Sequence, residues 1–361
     1  MAGTVRDDVG TVTSPGPAAE DLEALARPRM AADAFDYIAG GADAETTLAD
    51  NVAAWARLRL RPRMLRDVSR LDLSSTVLGS PLRAPVLVAP VAYQRLASDE
   101  GEAAVAAAAG ELGLGYVLST MASMSVEDVA GAAPDTLRWF QLYVHTDREL
   151  TLALLRRAEA AGYRALVLTV DTPVLGRRAR HGERGFVLPA HLAAANLTGA
   201  AYADLAAYAD SAFDASLTPE AISWLAERTS APVVVKGILR GDDAAACVDA
   251  GAAAIIVSNH GGRQLDGAIA TADALPEVVA AVGGRAEVYV DGGIRRGTDV
   301  LRALALGARA VLVGRPPVWG LALGGRDGAR AVLATLVEQT TRAFALAGVR
   351  DCADVGADLI A

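Results

Sequence analysis

The chain has 361 residues, 52% of them hydrophobic, with 43 acidic against 34 basic side chains and a net charge of −9. That is ample apolar material for a large core, and the acidic balance argues against nucleic acid or an anionic membrane as the main partner, since both are gripped by basic patches. Two cysteines, Cys247 and Cys352, are too few for a disulfide framework or a thiolate metal cage, so no metal site is expected.

The first residues, Met1 to Glu23, contain no continuous apolar segment of the kind a secretory leader needs, and no stretch approaches the ~20 apolar residues of a membrane span. A cytoplasmic protein with two reduced thiols is the expectation. Residues 1–18 are rich in Gly, Thr, Ser and Pro and read as a disordered tail. Residues 19–361 read as a single domain, because α/β barrels of this length routinely form one. A helical pattern begins at Asp21. Asp33 to Ala42 reads as a helix ended by the paired glycines Gly40 and Gly41. Tyr37, near that end, is by itself a packing tyrosine. Arg57 to Arg70 is an arginine-dense connector, solvated or salt-bridged.

Beyond it, short apolar runs alternate with helical stretches. The runs are Val86 to Ala89, Tyr116 to Ser119, Arg138 to Leu142, Ala165 to Val170, Val233 to Lys236, Ala254 to Ser258, Glu287 to Val290 and Ala310 to Val313. Eight buried strands joined by right-handed crossovers close naturally into a barrel. The predicted fold is therefore a (β/α)8 TIM barrel with an N-terminal helical segment and a long loop after strand 4. No Gly-x-Gly-x-x-Gly follows the first run, which disfavours an open dinucleotide-binding sheet. The long connection runs from Arg178 to Glu227, a length typical of lids and binding loops. From Gly185 to Glu227 it holds no Lys or Arg, while Asp204, Asp210, Asp214 and Glu220 make it acidic, against a basic membrane anchor.

In a barrel, functional groups collect just after the strands. Pro90, Val91 and Ala92 follow the first run, Ser119 and Thr120 end the second, and Gln141 and Tyr143 end the third. Thr169 and Asp171 end the fourth, with Arg177 and Arg178 a short turn later, and Lys236 ends the fifth. The sixth run stops abruptly at Ser258-Asn-His-Gly-Gly-Arg263. His260 can accept a proton near neutrality, and Arg263 can grip a carboxylate with two donors. A lone histidine at a turn is more often a structural hydrogen-bonder. Arg178 could complete a carboxylate clamp with Arg263, and Asp171 either stabilises a protonated His260 or neutralises the arginines. Lys236 either sets a fixed positive charge against a developing anion or forms a Schiff base. Asp291, Gly292, Gly293 and Arg295 follow the seventh run, and Gly314 and Arg315 the eighth. Barrels commonly bind phosphate there through backbone N–H groups.

The motifs Ser258-Asn-His-Gly-Gly-Arg-Gln-Leu-Asp266, Leu168-Thr-Val-Asp-Thr-Pro-Val-Leu-Gly-Arg-Arg178, Phe140-Gln-Leu-Tyr143, Val235-Lys-Gly237 and Asp291-Gly-Gly-Ile-Arg-Arg-Gly-Thr-Asp299 span nearly the whole chain after the tail. Together they resemble the FMN-dependent α-hydroxy-acid oxidases and dehydrogenases, a family that includes glycolate oxidase, lactate oxidase and mandelate dehydrogenase. The resemblance implies FMN as cofactor, a small (S)-2-hydroxy acid and O2 as reactants, and a homo-oligomer, tetramer or octamer. It implies His260 as base with Asp171 behind it. Arg178, Arg263 and Tyr37 would hold the substrate carboxylate, and Tyr143 its hydroxyl. Lys236 would stand near the flavin N1 side. Pro90, Val91, Ala92, Ser119, Gln141, Thr169 and Ser258 would meet the flavin ring and ribityl chain, while Asp291, Gly292, Gly293, Arg295, Gly314 and Arg315 form the phosphate end. Ala89-Pro-Val-Ala-Tyr-Gln-Arg-Leu96 resembles the aromatic-acid members, such as 4-hydroxymandelate oxidase. Met121 stands where glycolate oxidase is similar but carries an indole, which implies room for a larger substrate side chain. Ala92 favours an oxidase over a quinone-linked dehydrogenase, and a non-redox FMN barrel is the reading from a different class.

Overall fold

The computed structural model describes residues 19–197, 208 and 211–361; the expected tail at 1–18 lies outside the described residues. Eight parallel strands close a barrel: β1 (Val86–Val88), β2 (Gly115–Leu118), β3 (Leu137–Leu142), β4 (Leu166–Thr169), β5 (Val233–Ile238), β6 (Ala254–Val257), β7 (Glu287–Val290) and β8 (Ala310–Val313). Each strand pairs with its neighbours in chain order, and β8 returns to β1, Val311 facing Val86. This is the (β/α)8 barrel expected from the sequence, with the long connection lying between β4 and β5. All eight apolar runs are strands whose ends shift by no more than two residues. The largest shift is at β5, where the pairing with β6 slips between Lys236 and Ile238. A bulge of this kind re-aims side chains.

The two faces of the wall feed two separate cores. Leu87, Val117, Trp139, Val167, Val234, Ile256, Tyr289 and Leu312 form one buried cluster, which also takes in Val77 and Leu82 of a short hairpin, Ser75–Val77 with Ser80–Leu82. The Leu78 N–H donates to the Glu287 carboxylate at the start of β7, so the hairpin plugs the amino-terminal end of the barrel. Strand neighbours such as Val88, Leu118, Phe140, Leu168, Val235 and Val257 belong to the second cluster, with the helices. Alternation of faces with period two produces this split. Each such side chain contributes roughly 1.5–3 kcal/mol of burial.

Two residues beyond each inward apolar side chain stand Ala89, Ser119, Gln141, Thr169, Lys236, Ser258, Asp291 and Gly314. Strand parity turns them into the barrel as the next layer up. The sequence thus changes character between one layer and the next, from hydrocarbon to polar or small.

Three helices precede the barrel: α1 (Ala19–Ala26), α2 (Ala32–Ala39) and α3 (Thr46–Arg57). α2 stops at the paired glycines, although Gly40 is extended (φ −65°, ψ 150°) rather than left-handed. Its last carbonyls are taken by cations, which a helix carboxyl end attracts. Arg263 Nη1 donates to Tyr37 O (2.5 Å) and Gly40 O (3.0 Å), and Arg315 donates to Ile38 O and Gly40 O, both at 3.0 Å. The start of α3 is capped from far along the chain: Asp266 accepts from the N–H groups of Thr47 (2.8 Å) and Ala44 (3.0 Å). Asn51 and Asn259 exchange amide hydrogen bonds at 2.8 Å. In the arginine-dense connector, Arg57 pairs with Asp50 and Asp273, and Arg63 with Asp358. Exposed pairs of this type contribute about 0–1 kcal/mol each.

α3 also seats against the turn after β7. Gly293 has φ +79°, and a Cβ there would lie 2.0 Å from Asn51 O. Gly293→Ala is expected to cost roughly 2–5 kcal/mol from left-handed strain and backbone overlap. A fall in the urea midpoint measures it, and an unchanged midpoint would show that α3 does not pack tightly here.

Candidate active site

A cavity of about 530 Å³ opens at the carboxyl ends of the strands. Every residue that the resemblance assigns to the site lines it except Asp171 and Ser258. Those two hydrogen-bond to lining residues from behind. Ser258 is fully buried; its Oγ accepts from Lys236 Nζ at 3.0 Å and from the His260 N–H at 3.1 Å.

His260 sits on the loop after β6 in the left-handed region, φ +57°, a conformation that costs a non-glycine residue about 1–2 kcal/mol. The Ser258 and Asn259 side chains, bonded to the His260 and Gly262 N–H groups, hold the turn. The imidazole is thereby aimed at Asp171: Nδ1 lies 2.9 Å from Oδ1, which also accepts from Thr172 Oγ1 at 3.0 Å. Gly237 lets the carboxylate approach, since a Cβ there would stand 2.6 Å from Asp171 Cβ. Burial lowers the His260 pKa, and the positive charge of Lys236 adds to this, although Asp171 opposes both. Burial alone would raise Asp171, but His260, Lys236 and the hydrogen bonds outweigh it and hold the carboxyl below its usual range. At neutral pH the pair is a carboxylate beside an uncharged imidazole, a base whose cation is stabilised on arrival.

Arg263 lies with its guanidinium 4.9 Å from the centre of the Tyr37 ring. Arg178 Nη1 donates to Arg263 O, so both guanidiniums line one side of the cavity. Burial, then repulsion from Arg263, pulls Arg178 down to about 9. Burial raises Tyr37 and Tyr143, so both phenols keep their protons. Two guanidiniums beside protonated phenols make a seat for a carboxylate.

Deeper in, three buried polar atoms have no partner among the described residues: Gln141 Nε2, Thr169 Oγ1 and Asp291 Oδ1. Lys236 Nζ lies 3.5 Å from Asp291 Oδ2, both side chains almost fully buried. At the far end, burial lowers Arg295, and burial with repulsion from Arg263 and Arg295 lowers Arg315 strongly. Among the described residues the Arg295 side chain donates to Ile294 O, whereas Arg315 commits three N–H groups to Ile38, Gly261 and Gly40 carbonyls. Buried cations of this kind call for an anion.

Among the lining residues that the sequence reading did not single out are Leu175, Phe186 and Phe213. Phe186 stacks on Tyr37 (4.2 Å between centroids, 28°) and Phe213 on Tyr143 (4.3 Å, 21°). Their one signal is rarity, since the chain holds only five phenylalanines and two stand in the long loop. Among the described residues no group of three His, Cys, Asp or Glu is arranged to hold a metal ion, and no helix is long and apolar enough to cross a membrane.

The sequence pattern of the FMN-dependent dehydrogenases matches residues 26–361. The chain belongs to that family. It is 52% identical to an L-lactate oxidase of Nostoc sp. over 347 residues, 93% of this chain and 95% of the relative. It is 48% identical to human 2-hydroxyacid oxidase 1, over 92% of each chain. The crystal structure of mandelate oxidase with (S)-4-hydroxymandelic acid superposes with a TM-score of 0.91 at 45% identity, covering 95% of this chain and 98% of that one. This member of the family is thus an FMN-dependent oxidoreductase of 2-hydroxy acids.

The cavity suits that cofactor. Gln141 Nε2, Thr169 Oγ1 and Lys236 offer the polar groups that the carbonyl and ring-nitrogen atoms of a flavin would need, and Arg295 and Arg315 with the glycine turns would take its phosphate. Because Arg315 also ties down α2, Arg295 is the cleaner probe of the phosphate end. Arg295→Ala is expected to weaken FMN binding about 10- to 100-fold, from the loss of a charge-assisted contact of roughly 1.5–3 kcal/mol, with little change in the melting temperature of the cofactor-free chain. Fluorescence titration with FMN measures it, and unaltered affinity would remove Arg295 from the site.

Proposed function

We propose that this enzyme oxidises an aromatic (S)-2-hydroxy acid of the 4-hydroxymandelate type to the 2-oxo acid, with O2 as final electron acceptor and hydrogen peroxide as second product. The aromatic walls carry the reading. Tyr37 with Phe186 and Tyr143 with Phe213 flank the cavity beside His260 and Arg263, and the flexible side chain of Met121 takes another part of the wall. An aryl group seated among these rings gains stacking contacts that a methyl group cannot make. A second reading, an aliphatic substrate such as lactate, is supported by the 52% identity to L-lactate oxidase.

Bound FMN supplies the two-electron acceptor. In this reading Arg178, Arg263 and Tyr37 hold the substrate carboxylate, which fixes C2 and its hydroxyl relative to the imidazole. Tyr143 donates to the hydroxyl oxygen, and His260 receives the proton at Nε2, because Nδ1 faces Asp171. Asp171 then pairs with an imidazolium. Lys236, held against Ser258 and Asp291, keeps a fixed positive charge beside the flavin site.

Two measurements test the proposal. The ratio of kcat/KM for (S)-mandelate to that for L-lactate is expected to exceed about 10, a difference of one stacking contact or more; a preference for lactate would replace the aromatic reading with the aliphatic one. Peroxide formed in air should equal 2-oxo acid formed, and a yield near zero would indicate a dehydrogenase. The base has its own signature. Since burial holds His260 below 6.5, kcat/KM should be flat through neutrality and fall only in acid as the imidazole is protonated. His260→Gln should keep its FMN yet lose flavin reduction by about 10²–10⁴-fold; a variant that is still reduced at the wild-type rate would disprove the role.

A further inference from the structure

Phe213 is held far more firmly than a residue that merely lines a cavity needs to be. Its ring lies on Tyr143, and His145 and Tyr208 meet it edge-on at 5.5 Å and 5.9 Å. Its backbone bridges His145, and on either side Thr146 N donates to Ala212 O (2.8 Å) and Asp214 N to Val144 O (3.0 Å). Asp214 is ion-paired to Arg148, whose guanidinium lies 5.0 Å from the centre of Trp224. Burial pulls His145 down to about 4, so the ring behind Phe213 is uncharged at neutral pH and packs as an apolar wall. The loop between β4 and β5 is thus anchored at one point to the end of β3, and that point is the face of a tyrosine.

We infer that Phe213 is a positioning residue for Tyr143, and that Phe186 plays the corresponding part for Tyr37. A phenol at the edge of an open cavity has two soft torsions, and a stack on one face restricts both. Small displacements of a group that touches the reacting atoms are costly in rate. Tyr143 has the substrate hydroxyl in the proposed reading, and Tyr37, which lies against Arg263, has the carboxylate. The two stacks therefore separate by function: Phe213 governs turnover through the substrate hydroxyl, and Phe186 governs binding through the carboxylate. The inference rests on the proposed roles of Tyr143 and Tyr37.

The experiment is anaerobic flavin reduction by L-lactate, whose methyl group cannot stack on either phenylalanine, followed at several concentrations in FMN-loaded Phe213→Leu, Phe213→Tyr and Phe186→Leu. Phe213→Leu should lower the limiting rate about tenfold, near the upper end of what one aromatic pair contributes, with half-saturation little changed. Phe213→Tyr restores a stacking ring and should restore the rate. Phe186→Leu should raise the half-saturating concentration about tenfold with the limiting rate largely kept. Should Phe213→Leu fail to retain FMN, Phe213→Met makes the same comparison with a bulkier side chain. A wild-type rate in Phe213→Leu, or a Phe213→Tyr enzyme as slow as Phe213→Leu, overturns the inference. Tyr143→Phe separates the two levels. If it loses turnover while Phe213→Leu is normal, only the positioning role fails; if it keeps turnover, the role of Tyr143 itself fails.

Discussion

In a closed barrel the direction of every strand side chain is decided by parity, and the site depends on that constraint. Leu87, Val117, Trp139, Val167, Val234, Ile256, Tyr289 and Leu312 must face inward to fill the barrel. The residues two positions later then have no choice of side. Gln141, Thr169, Lys236, Ser258 and Asp291 are delivered to one ring by the same packing that makes the fold stable. A register slip of one residue would send this set into the helices and the apolar set into the cavity. The pairing slip between Lys236 and Ile238 falls just beyond the ring, where it lets Gly237 pass close to Asp171 without turning Lys236 away.

A second level of organisation lies above the ring. The turn after β6 binds α2 and α3 through Asn259, Arg263 and Asp266, and Arg315 adds three further bonds. These groups act structurally on one side and chemically on the other. Arg263 satisfies the carbonyls that end α2 while its charge faces the cavity, so Tyr37 and the guanidinium beside it are set by a single arrangement. The N-terminal helices are for this reason part of the site's wall.

How much of this is legible in the sequence follows from the range of the interactions involved. Buried parallel strands are continuous apolar runs bounded by polar residues, so the eight strands and the residues at their ends can be read directly. The end of β5 is misread because the bulge at Gly237 depends on the partner strand. The motif after β6 announces His260 and Arg263, but the cap that Asp266 provides for α3 acts across more than two hundred residues of chain and leaves no local trace. Phe186 and Phe213 are the hardest case. A phenylalanine in an alanine-rich loop has no pattern of its own, and its partner is a tyrosine on an element distant in sequence.

The electrostatics of the mouth tie these levels together. An acidic chain of net charge −9 gathers Arg178, Arg263, Arg295 and Arg315 around one cavity, and burial lowers the pKa of Arg178, Arg295 and Arg315. A cation whose pKa is lower in the folded chain than in the unfolded one works against folding, and for Arg178, held at about 9, neutral pH lies below both values and the cost is present in full. The helix carboxyl end at Tyr37, Ile38 and Gly40 offsets part of it, since its carbonyls take Arg263 and Arg315. In the proposed reading the rest would be offset by ligands, a phosphate at one end and a substrate carboxylate at the other, so that cofactor, substrate and fold share one electrostatic balance. Binding of either anion would therefore stabilise the native state, because it would neutralise the mutual repulsion of these arginines.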